Sequence, residues 1–310
     1  MKAIRVIDGV PSFVDAPAPS GEGVLVNVVS ASICGSDLHL IDGGIVEGRI
    51  LGHELAGRTS DGTAVAIEPV GRCGRCLNCE VGSWNHCDEM QAYGIFFDGG
   101  MAEQILVPAA CLQPIPSGLD LSVAAIVEPL AVAVHGLHRV RPMQGERIAI
   151  IGAGPVGLAL VAVCHAAGYA VDVAARHDHQ RAAVERLGGS VGVGENYDIV
   201  FDAVGSPDTL RAAIGACGPR GRVGLVGSLW EPATIDVGIC LQEVEIVPSM
   251  MYCGEGETRD FTRAAALLAA EPAIAATMLT HRFPLDAATE AFDAARDRSG
   301  GTIKVIFDVA

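Results

Sequence analysis

The sequence predicts an α/β protein of two domains, one irregular and mostly β, the other a doubly wound parallel sheet. Three observations carry that prediction. From Met1 to about Val127, short β-type runs such as VLVNVVSASI and TAVAIEP are broken by Gly, Pro and Asp, the pattern of strands joined by turns. After Leu130 strands and helices alternate, as RIAIIGAG, VGLALVAVCHAAG, AVDVAAR, HQRAAVERLGG, YDIVFDAVG, TLRAAIGACG and RVGLVGS. Alternation of this length builds a parallel sheet with helices on both faces. Third, the glycine-rich turn GAGPVG follows the first of those strands directly and opens a helix.

From about Ala270 the pattern returns to a strand (THRFPL), a helix (AATEAFDAARD) and a final strand (TIKVIFDV). This tail is expected to pack back onto the first domain. The first domain is therefore read as residues 1–129 with 270–310, and the parallel-sheet domain as residues 130–269. At 310 residues the chain is long enough for two such cores.

Composition excludes several roles. A net charge of −16 and a pI near 4.9 make nucleic acid or an anionic membrane face a poor partner. The stretch from Ile148 to Ala175 is apolar enough to raise a membrane span. Its glycines, Pro155, His165 and Asp172 fit strand, turn, helix and strand instead. MKAIRVIDGV turns polar too soon for a secretory leader, so a cytoplasmic protein is expected.

In such a protein, four of ten cysteines within 15 residues argue for metal ligation over disulfides. Cys73, Cys76, Cys79 and Cys87 read Cys-x2-Cys-x2-Cys-x7-Cys. Thiolates so spaced converge on one tetrahedral zinc, a closed structural site in a ribbon of about residues 71–90. Upstream, Cys34 in CGSDLH and His53-Glu54 in GHELAG offer a mixed S/N/O set that can leave a position open for substrate, as a catalytic zinc requires. Cys111, Cys164, Cys217, Cys240 and Cys253 read as small buried hydrophobes.

In the glycine turn, Gly152 makes the tight bend, Gly154 admits a pyrophosphate and Gly157 allows close helix-strand packing, with Pro155 and Val156 opening the helix. A unit that binds NAD places an acid at the end of the second strand to hold the ribose 2′-OH. Here Arg176 stands nineteen residues after Gly157, with His177 and Arg181 close by. Arginine holds a 2′-phosphate by charge-assisted hydrogen bonds, each worth roughly 1.5–3 kcal/mol. NADP(H) is therefore expected over NAD(H), with Asp178 the rival that would favour NAD. Ala203, Val204 and Gly205, and Val226 and Gly227, end two further strands and are expected to line the nicotinamide side. Glu128, inside the apolar run AAIVEPLAVAV, needs a metal or a cation as partner.

Taken in order, CGSDLH, GHELAG, the four-cysteine ribbon, VEPLAVAVHG and GAGPVG resemble the zinc-dependent medium-chain dehydrogenases of the alcohol dehydrogenase superfamily, in the polyol, sorbitol and threonine dehydrogenase branch. The resemblance covers essentially the whole chain. It implies a GroES-like catalytic domain, a Rossmann coenzyme domain and an active site in the cleft between them. By motif, Cys34 and His53 match the first two catalytic zinc ligands, Glu54 the adjacent carboxylate and Glu128 the third ligand. Direct or water-bridged ligation by the two glutamates stays open. Ser36 matches the family's relay hydroxyl, and His39 on the next turn would pass the proton to solvent. Asp37 would fix the tautomer of His53.

The implied activity is hydride transfer between NADP(H) and a secondary alcohol, polyol or sugar-like hydroxyl, or the matching carbonyl, with two zinc ions per chain. The family also implies a homo-oligomer, dimer or tetramer. An NAD-dependent polyol or threonine-type dehydrogenase is the nearer alternative. A zinc-free quinone reductase would lack both metal sets. A redox-responsive protein that holds dinucleotide without turnover is the alternative of another class. Trp84, Tyr93, Phe96 and Phe97 crowd the segment after the ribbon and are weighed as pocket walls or core.

Overall fold

The computed structural model describes residues 1–255 and 258–309. The chain forms two compact units, Met1–Glu128 with Cys253–Ala310, and Pro129–Tyr252. The return to the first unit lies ahead of the 270 expected from sequence. The reason is local bonding, because Gly254, Arg259 and Thr262 are already tied to the first unit. Gly254 N–H donates to Gly82 O at 3.0 Å, Arg259 pairs with Glu68, and Thr262 Oγ1 donates to Gln113 Oε1 at 2.7 Å. An apolar helix, Asp260–Ala270, looks the same in sequence whichever unit it joins.

A seven-stranded sheet organises the first unit. Its hub is Val24–Ser32, a run rich in β-branched residues that favour a pleated, half-buried surface. This strand pairs antiparallel with Glu54–Thr59, Gln104–Val107 and Lys304–Asp308. Ala64–Ile67 and Leu112–Pro114 extend one side, and Leu279–Pro284 lies parallel to the last strand on the other. Val26, Val28, Leu55, Ile67, Val107, Val305 and Phe307 fill the core beneath. Two register facts matter for function. Ser32 stands opposite both Glu54 and Ile306, so the hub strand carries Glu54 on one side and the strand that begins at Lys304 on the other.

The second unit is a six-stranded, all-parallel sheet in the spatial order Ser190–Val191, Val171–Ala174, Ile148–Ile151, Tyr197–Asp202, Cys217–Leu225, Glu245–Pro248. The chain leaves Ile148–Ile151 first to one side and then crosses to the other. The carboxyl end of that strand is therefore the topological switch point, the place where open parallel sheets bind ligands. Gly152 begins there. The segment from Ile148 to Ala175 is strand, helix Pro155–Ala166 and strand, and among the described residues no helix is long and apolar enough to cross a membrane.

Candidate functional site

The first unit brings Cys34, His53 and Glu54 together, with their ligand atoms all within 4.8 Å of one another. Each arrives by a different local rule. Cys34 is the extended residue that precedes the helix Gly35–Asp42, so its side chain leaves the end of the hub strand. His53 sits where the chain enters Glu54–Thr59, and the turn at Gly94 presses against it. Gly94 has φ +81°, and a Cβ there would meet Gly52 O at 2.6 Å and His53 N at 2.9 Å, so only glycine fits.

Asp37, one turn into the helix and fully buried, brings Oδ1 to 3.2 Å from His53 Nδ1, while its Oδ2 accepts from Cys34 N–H at 2.8 Å. The Asp37–His53 contact is bent, and neither atom has a well-aligned hydrogen bond. Ser36 Oγ stands 3.3 Å from His53 Nε2. Burial pushes the imidazole pKa down, but Asp37 and then Cys34 outweigh it and leave it well above the ordinary histidine value. A metal on this histidine would displace a proton. His39 is exposed on the same helix.

Sequence reasoning missed Lys304. Its side chain is 1% exposed, its Nζ lies 2.5 Å from Glu54 and donates to Ile33 O at 3.0 Å, and Ser32 Oγ also donates to Glu54. Burial pushes the ammonium pKa down, yet Glu54, Cys34 and Glu128 hold it above the ordinary lysine value. Glu54 is therefore a paired carboxylate rather than a free one. Glu128, buried at the start of the helix Val127–Val140, is outside the Cys34 group but within the electrostatic reach of the same lysine. The missed signal was a single cation in the apolar run TIKVIFDV.

The ribbon is the second donor set. Cys73, Cys76, Cys79 and Cys87 present four sulfurs within 4.8 Å, with Cys73–Cys79 at 3.9 Å and Cys76–Cys87 at 4.0 Å. Four thiolates about 2.3 Å from one tetrahedral zinc lie about 3.8 Å apart, so the set fits the ion. Backbone N–H groups of Asp88 and Cys79 lower the Cys76 thiol to about 7, while burial pushes Cys79 up to about 12. Without a cation these four are not all thiolates at neutral pH. Cys111, Cys164 and Cys217 are buried, and burial pushes each thiol up to about 12. Cys240, expected in a core, is exposed, because the short helix Val237–Gln242 buries none of its residues.

Trp84 donates from Nε1 to Glu68 Oε1 at 2.6 Å. Phe96 and Phe97 are exposed, and the Phe97 ring lies 5.7 Å from that of Tyr93.

In the second unit, Gly154 caps the helix Pro155–Ala166, and a Cβ on Gly157 would stand 1.9 Å from Gly152 O. Val204 lies over the turn, its Cγ2 2.4 Å from the Cβ position of Gly152. Asp202, also missed, ties two strand ends together. Its Oδ1 accepts from Val204 N and Gly205 N at 2.9 and 3.0 Å, and its carbonyl accepts from Val226 N and Gly227 N. At the end of Val171–Ala174, Arg181 pairs with Asp178 at 2.8 Å and donates to the carbonyls of Ala175 and Arg176. Gln180 Oε1 accepts from the N–H groups of Arg176 and His177. The exposed Arg176 guanidinium has no hydrogen bond or ion pair among the described residues. Asp172 is held by the Tyr197 hydroxyl at 2.7 Å.

Two family models match, the alcohol dehydrogenase GroES-like domain over residues 20–117 and the glucose dehydrogenase C-terminus over residues 121–309. L-galactonate-5-dehydrogenase of Escherichia coli is 29% identical over 90% of this chain and 89% of its own length. Among solved structures, RspB of Escherichia coli, complexed with NADH, is 27% identical with a TM-score of 0.87 over 100% of this chain and 99% of that one. A protein of Sinorhizobium meliloti described as a zinc-binding dehydrogenase and bound to NADP is 29% identical, with a TM-score of 0.86 over 99% of each chain.

Proposed function

The chain belongs to the zinc-dependent medium-chain dehydrogenases, in their polyol, sorbitol and threonine dehydrogenase-like branch, and from that premise we propose that it moves a hydride between a secondary hydroxyl of a polyol or sugar acid and NADP(H). The observation that carries this reading is the convergence of the half-buried Cys34 with the buried His53 and Glu54, with the Ser36 hydroxyl facing His53.

Cys34 and His53 would hold the catalytic zinc together with the carboxylates of Glu54 and Glu128, and the four ribbon thiols the structural one. Zinc supplies Lewis-acid polarisation of the substrate oxygen, and the nicotinamide supplies the hydride acceptor or donor. The chain does the rest. Asp37 orients the imidazole of His53 through Nδ1, which leaves Nε2 for the metal. Ser36 Oγ accepts the proton that the substrate hydroxyl gives up, and His39, on the exposed face of the same helix, returns it to solvent. Lys304 and Ser32 neutralise and fix Glu54, so that its charge adds little to the metal's own ligands.

Preference for NADP(H) rests on Arg176, which is unpaired among the described residues, and on Arg181, which engages the rival Asp178. The backbone at Gly152–Gly157 would hold the pyrophosphate. Arg298 favours a sugar acid over a neutral polyol. Its Nη2 lies 3.7 Å from where a Cβ on Gly35 would stand, between Cys34 and Ser36, and its guanidinium has no partner among the described residues. A cation so placed suits a carboxylate, the group that galactonate carries.

Steady-state turnover on polyols, sugar acids and amino-alcohols, with each coenzyme, tests the reading. Arg176→Ala should raise KM for NADP about 10-fold or more, the loss of one charge-assisted bond, and leave NAD unchanged. Arg298→Met should raise KM for acids and leave neutral polyols alone. Equal or better turnover with NAD would overturn the coenzyme assignment, and indifference of the acids to Arg298→Met the substrate class.

A further inference from the structure

Glu68 is a fully buried carboxylate that takes no part in the chemistry above. It follows the strand Ala64–Ile67 and precedes the ribbon, and three donors meet on it, two from the ribbon and one from the return segment. Trp84, between Cys79 and Cys87, donates from Nε1 at 2.6 Å, and Arg72, next to Cys73, from Nη1 at 3.2 Å. The third donor, Arg259, comes from the short antiparallel pairing of Gly254–Glu255 with Thr258–Arg259. Both guanidinium groups also reach Ala110 O, at 3.4 and 3.1 Å, and both face the Trp84 ring, at 4.1 and 5.8 Å.

The indole is enclosed on the other side too. Gly254 N–H donates to Gly82 O at 3.0 Å, and a Cβ on Gly254 would stand 2.2 Å from Trp84 Cη2. Ribbon and return segment thus share one buried anion and one aromatic ring. Two guanidinium groups this close to each other need the carboxylate between them, since a charge left buried without its partner is strongly unfavourable.

We propose that Glu68 is a positioning residue that couples the ribbon's grip on its metal to the seating of Cys253, Gly254, Arg259 and Asp260. Trp84 sits between two ribbon cysteines and can hold its place only while Glu68 and Arg259 hold theirs. The coupling is reciprocal, because any link that steadies one partner steadies the other by the same factor. Arg259 therefore governs a metal site to which it contributes no ligand.

The test uses the full zinc-loaded chain and follows zinc release to a chromophoric chelator, the ribbon phase being the one that Cys79→Ser removes. Arg259→Met and Glu68→Gln should each speed that phase about 10-fold or more, with Arg259→Lys in between. Arg282→Met breaks an ion pair with Asp308 elsewhere in the same unit and should leave it within about twofold. Deuterium exchange reads the other direction. Asp260 N–H bonds Cys253 O and Cys253 N–H bonds Asp260 Oδ2, and both amides should exchange faster once the ribbon ion is removed. An unchanged release phase in Arg259→Met, equal acceleration by Arg282→Met, or no response of the two amides would each overturn the proposal.

Discussion

The two donor sets in the first unit are built on opposite plans. All four ribbon thiols come from one short stretch, three of them half-exposed, and the set carries its own specification in its spacing. Cys34, His53 and Glu54 are brought together by sheet register, and the lysine that balances them lies at the far end of the chain. The difference teaches where stability and chemistry each reside. A ribbon with little core of its own would depend on a bound ion, whereas the mixed set is held by the protein and can leave a metal position open.

The largest expected effect follows from Lys304. Replacing it with Met leaves Glu54, which is wholly buried, with the Ser32 hydroxyl as its one remaining side-chain partner among the described residues. Removing one partner of a buried pair costs about 3–5 kcal/mol, and most of that is the penalty on the orphaned charge. Lys304→Met should lower unfolding stability by that amount in urea titration, and Lys304→Met with Glu54→Gln should recover more than half. If the double variant is no better than the single, the site is held by packing rather than by this pair, and the contrast with the ribbon weakens.

The second effect sharpens the same contrast. Cys79→Ser and Cys34→Ser should each cut zinc from about two ions per chain to about one, measured by elemental analysis. Their stabilities should part. Loss of the ribbon ion removes folding energy, whereas loss of the open-site ion removes turnover. Cys79→Ser should therefore melt a few °C below Cys34→Ser, where 1 kcal/mol corresponds to roughly 2–4 °C for 150–250 residues and to less for a longer chain. A Cys34→Ser protein that melts as low as Cys79→Ser would show the mixed set to be structural as well.

Legibility divides along the same line. The parallel sheet was readable because its strands are apolar runs between helices, and GAGPVG marked the turn after its first strand; the switch point there came only with the strand order. Grouping Cys34 with His53 and Glu54 was readable from motif. Lys304, Asp202 and Glu68 were not, since each looks in sequence like an ordinary charged residue at or just past the end of a strand. Burial makes them matter, and burial here is set by pairing between segments distant in the chain. The return at Cys253 escaped for the same reason, because its determinants are Gly82, Glu68 and Gln113.

The smallest effect tests whether the second unit uses buried charge as the first does. Among the described residues Asp202 has no cation on it. Burial raises its pKa above the usual 3.8, and the N–H groups of Gly205 and Val204 with the Thr209 hydroxyl only partly offset that. The folded protein therefore holds this proton more tightly than the unfolded chain does. Between 3.8 and the raised folded value the native state binds more protons, so stability falls as pH rises through that window, then levels off. An amide in place of the carboxyl keeps an acceptor for Val204 and Gly205 but cannot ionise, so Asp202→Asn should remove this slope and leave only a constant offset. Urea midpoints for both proteins from about pH 3.5 to 6.5 give the comparison, the window being set by the carboxylate reference value. The stability difference, native minus variant, should decline with pH and flatten. A difference that grows with pH would mean that the hydrogen bonds to Asp202 favour its charged form, and that the second unit, like the first, stabilises a buried anion.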